Sequence, residues 1–402
     1  MIELYKTASD CCGCSACEAV CPKSNIKMEP IKDGGYLYPK FLNEDNCVDC
    51  KLCLKVCPIK KDKTNDAPSK MVYYAGYTND PEIWKTSTSG GVVTEIFKLY
   101  ADRNPLYVGA RWDGVDSVVM DYADTIEDAG VFRKSKYVAA KSNGIYPVVK
   151  KALQDDKLVV FTGTPCQVYG LKMYLKREYE NLITVDFACH GQGSPDIFKS
   201  WISYLGKKYG SPLTRFHFRE RKFMGDYVNS NCAGYDLKDG RHIVVNRDYY
   251  HHTFVYGFHM RKSCQNCQFA NHRASDVTLA DFKSTDRAKY IGHDRNASDI
   301  IANTEKGISI INQLKGTMSL YRANIEKEIK ANPKLVRGLG GNPQRDMFMS
   351  DFYKGMPVER LFKHYARILP SQWVDYNCSE KTKRRLDVIL RYLDAILIKL
   401  GK

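Results

Sequence analysis

No apolar run of about eighteen residues occurs anywhere in the 402-residue sequence, so nothing in it reads as a membrane span. The N-terminal MIELYKTASD has no apolar signal region, which argues against a secreted, disulfide-bonded chain. Fifteen cysteines then imply a reducing, cytoplasmic setting. No internal repeat appears apart from one pair of cysteine motifs. The formal net charge is +15 at pH 7, but the lysines are spread along the chain rather than clustered with aromatics. That pattern does not indicate nucleic-acid binding. A basic surface suits an acidic partner, such as a ferredoxin, or a phosphorylated cofactor.

What is present is cysteine in a strict spacing, written twice. Cys11, Cys14, Cys17 and Cys21 follow C-x2-C-x2-C-x3-C-P, and so do Cys47, Cys50, Cys53 and Cys57. Short loops of this kind aim three thiolates at one [4Fe–4S] cube, while the fourth reaches the neighbouring cube. The spacing therefore assigns Cys11, Cys14, Cys17 and Cys57 to one cube and Cys47, Cys50, Cys53 and Cys21 to the other. Zinc sites pair two C-x2-C knuckles and need neither a third close cysteine nor a trailing proline. Each cube with its thiolates carries about −2, so three would lower the net charge by roughly six. Cys12 reads as an extra in the first loop and not as a ligand.

After a polar stretch, KKDKTNDAPSK (60–70), the texture changes to alternating strands and helices. MVYYAGYT (71–78), KLVVFT (157–162) and LITVDFA (182–188) read as strands, while 91–101, 146–155 and 167–179 read as helices. This alternation predicts a mainly parallel α/β sheet. GTPCQ (163–167) follows one strand and CHG (189–191) the next, with a single helix between them. In a β-α-β unit Cys166 and Cys189 then emerge side by side at the carboxyl edge, where open α/β sheets bind ligands. Cys264 and Cys267 form a C-x-x-C clip. Two strand-tip thiols and one clip make four, enough for a third cube or a zinc ion. TSTSGG (86–91), just before a helix, offers backbone N–H groups to a phosphate, although a well-capped helix would look the same.

Taken in order, Ser87 to Gly91, Ser135 to Tyr137, Gly163 to Lys172, Thr184 to Pro195 and Cys264 to Phe282 resemble the coenzyme F420 hydrogenase/dehydrogenase beta-subunit family. The resemblance covers roughly residues 1 to 290. It implies an α/β flavoprotein core that binds FAD beside a [4Fe–4S] cluster, preceded by a two-cluster ferredoxin module. It further implies that Ser87, Ser89, Gly90, Gly91, Ser135, Lys136, Gly163 and Thr164 border the FAD. Cys166, Cys189, Cys264 and Cys267 match the family's core cysteines, making three [4Fe–4S] clusters in all. His190 falls near cluster or flavin, as a weak catalytic candidate or a structural histidine. Many members continue Asp-Phe with Trp-Gly, whereas Lys283 and Ser284 follow Asp281 and Phe282 here, which alters the substrate end.

The expected architecture is therefore a two-cluster ferredoxin domain (1–62), an α/β FAD and iron–sulfur core (70–290) and a mostly helical C-terminal extension (291–402). Leu386, Ile389, Leu390, Leu393, Ile396, Leu397 and Leu400 recur at helical spacing, as for packing onto the core. A basic amphipathic end also suits a membrane surface or a partner helix. Cys232 and Cys378 read as ordinary cysteines. The functional expectation is a flavin- and iron–sulfur-dependent oxidoreductase linking a ferredoxin-type carrier to an organic substrate. The competing readings are an F420-specific subunit of a hydrogenase or dehydrogenase complex, and an electron-transfer subunit with no substrate of its own.

Overall fold

VVFT and LITVDF, two apolar runs rich in β-branched residues, form neighbouring parallel strands at the centre of the computed structural model, with Val159 opposite Leu182 and Thr162 opposite Val185. The structure describes residues 2–61, 72–224, 227–246, 248–283, 296–366, 369–377 and 380–399. The N-terminal module contains an antiparallel pair, β1 (Ile26–Pro30) and β2 (Leu37–Phe41), with short helices α1 (Ala16–Val20) and α2 (Leu52–Lys55).

An eight-stranded mixed sheet forms the core. It is built from β3 (Val72–Thr78), β4 (Leu106–Asp113), β5 (Ser117–Ala123), β6 (Val159–Thr162), β7 (Leu182–Phe187), β11 (Val277–Asp281), β12 (Ser298–Ala302) and β13 (Met318–Arg322). The spatial order is β13-β3-β12-β11-β7-β6-β4-β5. The four strands β4, β6, β7 and β11 pair in parallel, while the flanking pairs are antiparallel. Two antiparallel steps separate β3 from β11, so β3 also runs in the parallel direction. The segments following β3, β6, β7 and β11 therefore share one edge.

β12 and β13 lie beyond residue 290, where the sequence reading expects helices. The core sheet thus extends to Arg322, and helices predominate only after it. SDIIA and MSLYR are five-residue runs, too short for periodicity to separate strand from helix.

One face of the sheet is covered by α4 (Val92–Leu99) and the other by α5 (Ile145–Gln154) and α6 (Pro165–Leu175). Pro165, Val168, Tyr169, Gly170, Leu171, Tyr174 and Leu175 are all buried, giving α6 no solvent stripe. A helix apolar on every side needs two partners. α6 has the sheet on one side and the N-terminal module on the other, for Cys12, Cys14, Ala16 and Val56 share its core cluster. Truncating Leu171 there to alanine would cost about 2–5 kcal/mol.

A second sheet, β8 (Leu213–Met224), β9 (Tyr227–Leu237) and β10 (His242–Asn246), packs with α7 (Pro195–Tyr209) and α8 (Tyr249–Val255) around Trp201. Further helices are α9 (Lys262–Gln265), α10 (Glu305–Leu314), α11 (Ile325–Ala331), α12 (Arg345–Tyr353), α13 (Val358–Tyr365), α14 (Pro370–Asn377) and α15 (Glu380–Lys399). In α15 the stripe expected to pack onto the core includes the exposed Ile389, Leu393 and Ile396. The buried contact is polar instead, with Asp394 accepting hydrogen bonds from Ser371 on α14. Leu400 and Cys378 lie outside the described residues. No helix among the described residues is long and apolar enough to cross a membrane.

Candidate functional site

The two cysteine loops share one backbone form. Gly13 and Asp49, at matching motif positions, have φ of +71° and +48°, and Ser15 and Lys51, again matching, have 66° and 58°. Left-handed conformations at non-glycine residues are strained, so Ser15, Asp49 and Lys51 mark a shape imposed by the loop's task. That task is to turn successive thiols inward. Cys21, Cys47, Cys50 and Cys53 line one cavity, walled also by Ile2 and Phe41. Burial and then the neighbouring Cys11 and Cys57 hold the Cys17 thiol well above its ordinary pKa. Cys11 and Cys17 in turn act on Cys14. Each group joins thiols of one loop to the last cysteine of the other, and a cube would fit either.

Cys166 begins α6 immediately after β6, Cys189 follows β7, and Cys264 lies in α9. They converge with Cys267. Burial, followed by Cys264, Cys166 and Cys267, raises the Cys189 thiol far above its usual range. Cys264 is pushed up to about 12 by burial and by Cys166 and Cys267. Among the described residues no three His, Cys, Asp or Glu side chains are placed to hold a single metal ion. A cube does not require that, because it spaces its four thiolates more widely than one zinc ion does.

The sequence reading missed the role of Cys12. It is 6% exposed and packs in one buried cluster with Cys14 and Cys166. Its carbonyl accepts from Gln192 Nε2 at 3.1 Å. Tyr36 Oη donates to the carbonyls of Gln192 (2.8 Å) and His259 (2.7 Å), and Ser194 Oγ donates to Gly34 O at 2.7 Å. These bonds seat the module so that its first cysteine loop abuts the strand-tip cysteines. The doubled Cys11-Cys12 pair was the available signal.

The remaining motifs occupy the same sheet edge. The TSTSGG and RKSKY loops meet there, with Ser135 N–H and Oγ on Thr88 Oγ1 at 3.0 and 3.2 Å. Ser87 caps the end of α3 (Pro81–Thr86). Ser89 Oγ donates to Ala297 O, and Gly90 N–H donates to Ser298 Oγ at 3.0 Å. A Cβ on Gly90 would lie 2.4 Å from Gly76 O, so packing against β3 and β12 explains this glycine. Gly91 (φ +82°) caps α4. Gly163 N–H donates to Val185 O, and Thr164 caps α6 with its hydroxyl 3.2 Å from Cys166 Sγ. Lys136 turns inward and donates to the carbonyls of Phe132, Arg133 and Lys134, and burial lowers its pKa to about 7. His190 Nε2 donates to Val255 O at 2.9 Å, and burial brings its pKa down to about 4. It is thus neutral and engaged in a backbone contact.

Three basic residues absent from the sequence reading face this edge. Arg219 pairs with Asp281 at 2.6 Å. Arg221 donates to Ser89 O at 3.0 Å and lies 4.0 Å over the Trp84 ring. Its Nε and one terminal nitrogen are buried without a hydrogen-bond partner, and burial and then Arg219 lower its pKa to about 10. Lys334, lowered to about 8 by burial and Lys283, feels the charges of Cys189 and Asp281. The R-x-R pair at period two in FRERKFM was the signal for the arginines.

Beneath the same edge, Tyr73 Oη donates to Asp299, and the charge of the fully buried Glu328 acts on the same carboxyl. Glu328 Oε1 accepts from Lys283 N–H at 2.9 Å. Burial and then Glu328 raise the Asp299 pKa to about 9. Because the folded value lies above the unfolded one, this carboxyl's contribution to stability is complete below pH about 4 and is lost as pH rises toward 9. Asp299→Asn removes that loss. Its melting temperature relative to wild type should therefore climb by several degrees between pH 4 and 9 in differential scanning fluorimetry. A difference independent of pH would show that Asp299 titrates normally.

An iron–sulfur electron-transfer protein is the class defined by the paired cysteine loops and their seat on an α/β core. The family comparisons agree with this class. Residues 10–61 match the 4Fe-4S dicluster domain, and residues 156–328 match the C terminus of the coenzyme F420 hydrogenase/dehydrogenase beta subunit. The chain thus joins a dicluster segment to a segment similar to the C terminus of that beta subunit. It is similar to a chain of the F420-reducing [NiFe] hydrogenase complex from Methanosarcina barkeri at 16% identity and a TM-score of 0.45, over 82% of this chain and 96% of that one. No curated protein matches its sequence.

Proposed function

We propose that this chain is an oxidoreductase that exchanges electrons between a ferredoxin-type carrier and an organic molecule, using FAD at the sheet edge and a third cube on Cys166, Cys189, Cys264 and Cys267. Bound FAD would supply the exchange between two-electron and one-electron chemistry, and the cubes would supply single-electron storage. The observation that carries the proposal is Gln192, whose Nε2 donates to Cys12 O of the module at 3.1 Å and reaches Cys166 Sγ of the core at 3.9 Å. That contact supports two cofactor sites lying against each other at the edge where the arginine-lined loops converge.

The chain's own groups have distinct tasks there. Ser87, Ser89, Gly91, Ser135, Gly163 and Thr164 border the cofactor. Gly90 fixes the loop on the sheet, and Lys136 holds the facing loop by its carbonyls. Arg221 brings unpartnered buried N–H groups to Ser89 and suits a pyrophosphate oxygen. The Asp281–Arg219 pair fixes the neighbouring strand end.

Arg221→Met should lower the flavin content of the purified protein about tenfold while its iron and labile sulfide stay at wild-type levels. Flavin released by acid and quantified by absorbance provides the check. Full flavin occupancy in the variant would move the phosphate site away from this edge. Flavin bleaching by reduced F420 alone would make F420 the organic molecule; bleaching by reduced ferredoxin alone would support the ferredoxin route.

A further inference from the structure

Arg261 is 1% exposed and lies between the two sets of thiols. Its Nε donates to Cys11 O at 2.9 Å, and one terminal nitrogen reaches Leu37 O at 3.0 Å and Cys11 Sγ at 3.5 Å. The guanidinium lies 4.1 Å over the Tyr38 ring and 5.5 Å from that of Tyr36. A Cβ on Gly13 would come within 2.8 Å of it, so the loop leaves room for the guanidinium with a glycine. Three residues later in the chain is Cys264 of the strand-tip group.

The buried cation has an unusual set of partners. Arg345, equally buried, is paired with Asp33 at 2.5 Å and Asp346 at 2.9 Å, and Arg219 is paired with Asp281. Among the described residues no carboxylate pairs with Arg261. A buried charge without a counter-charge is strongly unfavourable, so evolution retains one only where something answers it. The ionisable groups that face it are Cys11, Tyr38, Cys12 and Cys264. Two of these cysteines are cube ligands at different sites, Cys11 in the module and Cys264 in the core.

We propose that Arg261 is the shared counter-cation of the module's first cube and the strand-tip cube, and that it raises the reduction potentials of both. The proposal rests on the reading that both thiol groups carry cubes. One electron from a low-potential donor takes each cube with its thiolates from about −2 to about −3. A fixed positive charge against the ligand sulfur stabilises the more negative form, and a site excluded from water screens it little. The cation lining the distal cavity of Cys21, Cys47, Cys50 and Cys53 is Lys23, which is exposed and screened by water, so electrons would collect at the junction rather than at the outer cube.

The test is an EPR-monitored redox titration of the full chain, reconstituted with iron and sulfide and reduced with dithionite. Arg261→Gln should shift two midpoints to more negative potential and leave the third in place. Arg261→Lys keeps the charge and should keep all three near wild type. Arg345→Gln weakens the module's seat without touching a thiol and should leave the midpoints unshifted. Wild-type midpoints in fully loaded Arg261→Gln would overturn the proposal, as would an equal shift in Arg345→Gln. If Arg261→Gln fails to load, Arg261→Lys decides: midpoints near wild type support the proposal, and a negative shift overturns it. Iron content separates the two levels, because a chain with two cubes would refute the strand-tip assignment and still report on the Cys11 cube.

Discussion

Gly170→Leu is expected to slow electron transfer between reduced ferredoxin and the core by roughly a hundredfold while leaving flavin content intact. Gly170 lies in α6, on the side facing the N-terminal module. A Cβ there would come within 2.9 Å of both Cβ and Sγ of Cys14 and 3.0 Å of Tyr146 Oη. Neither neighbour can yield. Cys14 is on a loop already bent by two left-handed residues, and Tyr146 is buried with its hydroxyl on Gln167 O at 2.8 Å. A leucine must therefore lift the module from α6 and widen the gap between the two thiol groups. Stopped-flow reduction by ferredoxin, compared with reduction by a small artificial donor that reaches the core directly, isolates that gap. Equal slowing with both donors would indicate a damaged core rather than a separated module.

Cys166→Ser is expected to lower the iron content from about twelve to about eight atoms per chain, with a matching fall in labile sulfide. Serine is nearly isosteric and can keep the contact with Thr164 Oγ1, so α6 and its cap should survive, as circular dichroism would show. What is lost is the thiolate. The module's own cysteines are untouched, and both of its cubes should remain. Retention of about twelve iron atoms would mean that Cys12, buried in the same cluster as Cys166, takes over as ligand. Loss of the third cube in a Cys12→Ala, Cys166→Ser double variant would establish that rescue. Zinc in place of the missing four iron atoms in the wild-type protein would reassign the strand-tip site.

The parts of this site that were legible in the sequence are those in which ligand spacing is local. Three cysteines within seven residues specify a loop, and the matching left-handed positions in both loops follow from that spacing. The convergence of Cys166 and Cys189 was legible because one helix links two parallel neighbours. The basic residues were not, because Arg219 and Arg221 come from a strand of another sheet and Lys334 from beyond β13. Nothing local in their segments marks which edge they face. β12 and β13 were missed as strands because a five-residue apolar run has no distinguishing period. The apolar pattern all round α6 was present but ambiguous, since burial on two sides does not say what the second partner is. The partner is the ferredoxin module, and its seat depends on bonds such as Tyr36 to His259 that span more than two hundred residues.

The most direct test of the account is EPR of the dithionite-reduced Cys50→Ser protein. Cys50 is the exposed thiol of the distal cavity, so the variant should lose that cube and keep the two that are proposed to lie against each other. The account predicts two reduced cubes whose spectrum is split or broadened by mutual magnetic interaction, and a loss of that interaction when Gly170→Leu is added. Two sharp, independent signals in Cys50→Ser, unchanged by Gly170→Leu, would contradict it.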